Sequence, residues 1–208
     1  MIRAVVLLSG RGSNFRALLE AGLPVRFTAA ISNRPDAAGL EFARERNIPA
    51  IGLDHRAYPS REAFDQALIQ EIEKAGADVV ILAGYMRILT KTFVERYLGR
   101  LINIHPSLLP AFPGLRTHEA ALAEGVKIHG CTVHFVTPEL DHGPIIIQAA
   151  VPVLPGDTAE TLAARVLAQE HKIYPQAVKW FAEGRLVISD GVVNVTDSEQ
   201  SQSVFATH

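Results

Sequence analysis

Short apolar runs alternate with amphipathic segments along the first half of the chain. The runs at 5–8 and 27–31 are short and rich in apolar residues and read as strands, whereas 15–21 and 39–46 read as helices. This βαβα rhythm predicts a parallel sheet covered by helices. A third unit follows, with 48–53 as strand and 61–75 as helix; its Phe64, Ala67, Leu68 and Ile72 fall on one helical face, and Ser60 stands where an N-cap is wanted. After its first residue the run 78–83 (DVVILA) is wholly apolar, as a strand buried on both faces must be, and it is the expected central strand. A helix near 92–98 precedes a strand at 101–104. That strand delivers Asn103 and His105 at its C-terminal end, where open α/β sheets bind ligands.

The pattern then changes. The runs 130–136 and 145–153 predict longer strands joined by the loop 137–144, hence a mixed or antiparallel edge. Asp157 with Glu160 resembles a capping box opening a long helix toward Gly184, which Pro175 should bend or divide. Asp190-Gly191 predicts a hairpin, followed by a polar tail. The expected fold is α/β: a Rossmann-like, three-layer arrangement with a mostly parallel central sheet and a mixed or antiparallel C-terminal edge. One domain over 1–195 and a tail over 196–208 are expected.

Composition narrows the function classes. With 208 residues, 48% of them hydrophobic, the chain can bury a sizeable core. A net charge of −2 argues against broad nucleic-acid binding, which needs a surplus of Lys and Arg on one face, so small-molecule partners are expected. The single cysteine, Cys131, lies in an alternating strand pattern and reads as a buried structural thiol. No signal-peptide pattern opens the chain and no run is long enough to cross a membrane. A cytoplasmic protein is expected, and the Asn194-Val195-Thr196 glycosylation match reads as accidental.

Two stretches carry chemistry. Ser9-Gly10-Arg11-Gly12-Ser13-Asn14 sits between the first strand and its helix, where glycines admit an anion to the backbone and the helix N-terminus favours it. Phe15 stands where the third glycine of a dinucleotide fingerprint belongs, and the P-loop lysine is missing, so a monophosphate fits better than a dinucleotide or ATP. In Asn103-Ile104-His105-Pro106-Ser107, the carboxamide and the imidazole leave one side of a strand at alternate positions. Such a pair can donate to a developing oxyanion, and Asp141 in the downstream loop could orient the imidazole. Spacing leaves open whether these groups meet. Ser107 beside His105 suggests a serine hydrolase, but it lies outside a GxSxG elbow. His105, His118, His129, His134 and Asp141 match no zinc spacing, and structural or substrate contacts suit them better.

The segments LLSGRGSNFRAL, ISNRPDAAGLEFAR, DVVILAGYMRILT, LINIHPSLLPAFPGLRTHEAAL, HGCTVHFVTPELDHGPII and AQEHKIYPQAVKWFAEGRL together resemble the folate-dependent formyltransferases. The resemblance implies transfer of a formyl group from 10-formyltetrahydrofolate, a co-substrate, to the amine of glycinamide ribonucleotide in purine biosynthesis, without a metal. It implies Asn103, His105 and Asp141 as the catalytic trio. Gly12, Ser13, Asn14 and Glu170 would hold the ribonucleotide, and Arg61, Met86, Arg87, Ile88 and Leu89, with Asn103 and Asp141, the folate. Soft apolar side chains at Met86, Ile88 and Leu89 suit a pterin ring. The resemblance further implies that members acting on tRNA carry an added C-terminal domain and those that hydrolyse the folate an added N-terminal one, and neither addition is expected in 208 residues. His142 departs from the small residue that many members carry beside the catalytic Asp. A monomer or a homodimer is compatible with the resemblance. A formyltetrahydrofolate hydrolase, a non-catalytic nucleotide- or folate-binding protein and a dinucleotide-dependent oxidoreductase are the rival readings.

Overall fold

The βα rhythm of the first half appears as parallel strands in a computed structural model that describes residues 1–197 and 199–206. The elements are β1 (Ile2–Leu8), α1 (Ser13–Glu20), β2 (Val25–Ser32), α2 (Ala38–Glu45), β3 (Ala50–Gly52), a 3₁₀ turn (His55–Ala57), α3 (Arg61–Lys74), β4 (Val79–Leu82), α4 (Lys91–Arg96) and β5 (Leu101–His105). The strand order is β3-β2-β1-β4-β5, with every pairing parallel. All four residues of β4 are buried, which is why its sequence shows no alternation. Leu7 of β1 pairs with Leu82 of β4, and Leu82 with Asn103 of β5, so these three strands end level. Ser9, Gly84 and Asn103 therefore share the carboxyl edge, where the two loops leave the strands.

Residues group into two compact units, Met1–Asn103 and Ile104–His208, with the boundary inside β5. The second contains α5 (Thr117–Glu124), β6 (Ile128–Phe135), β7 (Ile145–Pro152), α6 (Ala159–Ala182), β8 (Leu186–Ser189), β9 (Val192–Val195) and β10 (Ser203–Phe205). β6 and β7 pair antiparallel, as the change of pattern predicts. Gly130 lets them approach: a Cβ there would lie 1.9 Å from the Ala149 carbonyl oxygen. α6 packs on both strands. The hairpin β8–β9 turns at Asp190 (φ 50°) and Gly191 (φ 77°), the left-handed pair that a two-residue turn requires.

Several expectations need correction. The capping box of α6 is formed by Thr158 and Thr161, not by Asp157 and Glu160. Asp157 instead accepts the Leu154 amide at 2.7 Å and pairs with Arg165 at 2.7 Å, contacts that hold its carboxyl below the usual carboxylate range. Pro175 does not divide α6; Tyr174, Pro175, Ala177 and Val178 are all buried, and that burial outweighs a cost of about 3 kcal/mol for an interior proline. The pattern gives no sign of α5, because Arg116, at the N-cap position before it, is left-handed (φ 56°) and supplies no side-chain cap. Part of the polar tail is ordered as β10, parallel to β7, with Gln202 donating to the Ile146 and Val193 carbonyls at 2.9 and 3.0 Å. Among the described residues no helix is long and apolar enough to cross a membrane.

Candidate active site

In the first unit the glycine-rich loop ends at Gly12, which is left-handed (φ 74°) at the head of α1. A Cβ there would meet the Gly39 Cα at 3.0 Å, so conformation and the close approach of α2 both select glycine. No side chain caps this end of α1. Its first turn keeps the character of an anion site, with Ser13 half-buried and Asn14 buried beside it.

The segment 84–90 leaves β4 without regular structure and carries two exposed apolar side chains, Met86 (66%) and Ile88 (59%). Arg61 on α3 donates from Nη2 to the Ile88 carbonyl at 2.5 Å, and the Arg87 guanidinium lies 4.9 Å from the centre of the Phe64 ring. Arg61 and the segment carrying Met86, Arg87, Ile88 and Leu89 are thus tied together at α3. Three groups support that segment: Asn33 and Asp65, which the motif reading missed, and Ser9, which it assigned to the anion loop alone. Ser9 Oγ accepts the Met86 amide at 2.9 Å and donates to Asn33 Oδ1 at 2.5 Å, while Asp65 Oδ2 accepts the Thr90 amide at 2.7 Å. Ser9, Asn33 and Asp65 are all buried. Asp65 sits one turn along α3 from Arg61, a helical periodicity that could have flagged it.

Asn103 and His105 lie two positions apart on β5, so the pleat sends both side chains to one side. Within the second unit, His105 is 5% exposed and its Nδ1 is 3.7 Å from Asp141 Oδ1. The two side chains thus lie together, which spacing alone left open. Their separation exceeds a hydrogen bond, so Nδ1 is not committed to the carboxylate. Nε2 lies 2.9 Å from the Phe112 carbonyl, which only accepts, so this nitrogen carries a proton. Asp141 is itself left-handed (φ 52°), and its Oδ2 accepts the Gly114 amide at 2.8 Å. The neutral ring would turn a lone pair toward the carboxylate; the imidazolium presents N–H donors at both nitrogens.

The remaining histidines differ. His118 and His129 contact each other at 3.2 Å, and burial lowers both, His129 to about 4 with the nearby His118 and His105 adding to the effect. His134 is lowered by burial, against the pull of the Asp141 charge, and its Nδ1 lies 2.9 Å from the Phe135 carbonyl. His142 is exposed. Ser107 is fully buried and donates to the Ala111 carbonyl at 2.6 Å, which leaves it unfit as a hydrolase nucleophile. Cys131 is fully buried, and burial with the charge of Glu170 pushes its thiol up, as a structural role requires. Glu170 lies on the buried face of α6.

Residues 2–178 match the family model described as formyl transferase. The chain is 53% identical to the phosphoribosylglycinamide formyltransferase of Escherichia coli over 88% of each chain, and 39% identical to that of Haemophilus influenzae over 99% of each. It is 45% identical to the trifunctional purine biosynthetic protein adenosine-3 of Bos taurus, covering 90% of this chain and 19% of that protein. Among solved structures it resembles glycinamide ribonucleotide transformylase 1 of Symbiobacterium toebii, with a TM-score of 0.92 and 54% identity over 95% of each chain.

Proposed function

The chain belongs to the formyl transferase family, and from that premise we propose that it transfers the formyl group of 10-formyltetrahydrofolate to the amine of glycinamide ribonucleotide. The observation that carries this reading to the residues is the buried His105–Asp141 pair two positions beyond Asn103. The neutral amine attacks the formyl carbon. A C–N bond forms, the carbonyl oxygen becomes an oxyanion, and the bond to the folate nitrogen then breaks. Asn103 and the His105 imidazolium donate to that oxygen, with His105 using the nitrogen that Asp141 does not hold tightly. Asp141 stabilises the imidazolium and helps pass the amine proton to the leaving nitrogen. No covalent enzyme adduct is needed, because holding the reactants together supplies much of the acceleration.

Gly12, Ser13 and Asn14 receive the substrate phosphate, and Glu170 the glycinamide end. The surface of Arg61, Met86, Arg87, Ile88 and Leu89 receives the folate. The test is a formyl-transfer assay with both substrates, following the deformylated folate by absorbance, with and without the ribonucleotide. Turnover that requires both is expected, with a large kcat loss in Asp141→Asn and a milder change in KM. Folate loss without the ribonucleotide would mean a hydrolase. Near-normal turnover in His105→Ala would remove His105 from the reaction.

A further inference from the structure

The segment 84–90 has no secondary structure, yet it must present a shaped surface. An irregular segment keeps its shape only if its backbone polar groups find fixed partners. Here they do so at both ends. Next to β4, the Ser9 amide donates to the Gly84 carbonyl at 3.0 Å, and Ser9 Oγ accepts the Met86 amide at 2.9 Å. Ser9 Oγ has one proton, and it goes to Asn33 Oδ1 at 2.5 Å, which fixes the hydroxyl as an acceptor toward Met86. Asn33 is held in turn: its carbonyl lies 3.0 Å from His55 Nδ1. At the other end, before α4, Asp65 Oδ2 accepts the Thr90 amide at 2.7 Å. Arg61, one turn earlier on α3, holds the Ile88 carbonyl between these two anchors.

We propose that Asp65 and Ser9 are positioning residues for the folate donor, fixing the ends of the segment 86–89 from its buried side. The proposal rests on the reading of that segment as the folate surface. Neither residue touches the donor. Both are nearly inaccessible, at 4% and 5% exposure, and both meet the segment through its backbone amides. The exposed Met86 stands at the first anchor and the exposed Ile88 between the two, so losing either anchor lets the apolar surface spread over more conformations, and the donor must reorder it on binding. The loop read as the ribonucleotide's has its own support, because the Gly39 amide donates to the Gly10 carbonyl at 3.0 Å, so affinity for that substrate should be spared.

The experiment is steady-state kinetics on the full chain with each substrate varied in turn, and with Tm recorded for every variant. Asp65→Ala is expected to raise the KM for 10-formyltetrahydrofolate about tenfold, a change of about 1.4 kcal/mol. Its kcat at saturating folate should stay within about threefold, and its KM for glycinamide ribonucleotide within about twofold, because only uniform binding of the donor is lost. Asp65→Asn keeps an oxygen for the Thr90 amide and should restore most of the donor affinity. Ser9→Ala should raise the donor KM from the opposite end by more than it changes the ribonucleotide KM, and it carries the test if Asp65→Ala does not fold. Folded Asp65→Ala and Ser9→Ala with unchanged donor KM, or an equal loss for both substrates, overturn the proposal. Ile88→Asp separates the two levels of inference. If Ile88→Asp leaves the donor KM unchanged, the folate reading itself fails. If Ile88→Asp raises it while the anchor variants do not, only the positioning role is wrong.

Discussion

Gly143→Ala tests whether Asp141, the aspartate proposed to act on His105, is placed by its loop. Gly143 is buried two residues after Asp141, and an ideal Cβ would stand 1.7 Å from the Phe135 carbonyl oxygen and 2.8 Å from its carbon. A carbon resting against a carbonyl oxygen needs about 3.3 Å, so the two strands of backbone must part by about 1.6 Å. They cannot part freely, because the Phe135 amide donates to the Pro144 carbonyl at 2.9 Å. The loop must therefore move, and Asp141 with it. If half of that movement, about 0.8 Å, reaches the carboxylate, the 2.8 Å bond from the Gly114 amide is lengthened out of useful range. The His105 contact changes as well. A misplacement of about 1 Å can lower turnover about a hundredfold, which is the expected loss in kcat. The accompanying destabilisation should be the 1–3 kcal/mol typical of overpacking, roughly 2–12 °C in Tm for a chain of this size. The formyl-transfer assay and a thermal melt read the two effects separately. A folded Gly143→Ala protein with kcat within about twofold of the original would show that the loop does not fix Asp141 or that its position does not matter.

Gly130→Ala faces a similar clash, 1.9 Å from the Ala149 carbonyl oxygen, but inside the β6–β7 pairing; its Tm or soluble yield should fall before its chemistry changes. His142→Gly removes an exposed imidazole beside Asp141, and kcat should change by less than about threefold. Because burial holds His129 down to about 4, the unfolded chain binds more protons between about pH 6.5 and 4, so stability falls as pH drops through that window. An NMR titration should find His129 neutral at pH 5.5; protonation there would overturn the assignment. Ending the chain after Asp197 removes β10 and the Gln202 contacts, which should lower Tm by roughly 4–8 °C and bare the edge of β7 to association. An unchanged melt would show that β10 adds nothing.

Local patterns determined a large part of this protein. The βα rhythm, the all-apolar run that became β4, Ser60 as the cap of α3 and the Asp190-Gly191 turn follow from side-chain periodicity and backbone preference, which act over a few residues. The same locality put Asn103 and His105 on one side of β5, because a strand alternates. Contacts between distant residues left no such mark. Pro175 survives inside α6 because the helix is buried, and β10 forms from three residues because β7 offers it an edge. The meeting of His105 with Asp141, 36 positions apart, depends on the β6–β7 loop and a left-handed aspartate. Periodicity puts Asp65 on the Arg61 side of α3 but does not say what it holds. Only the tertiary structure turned it inward to hold the Thr90 amide, because burial and hydrogen-bond partnership are properties of the packed chain.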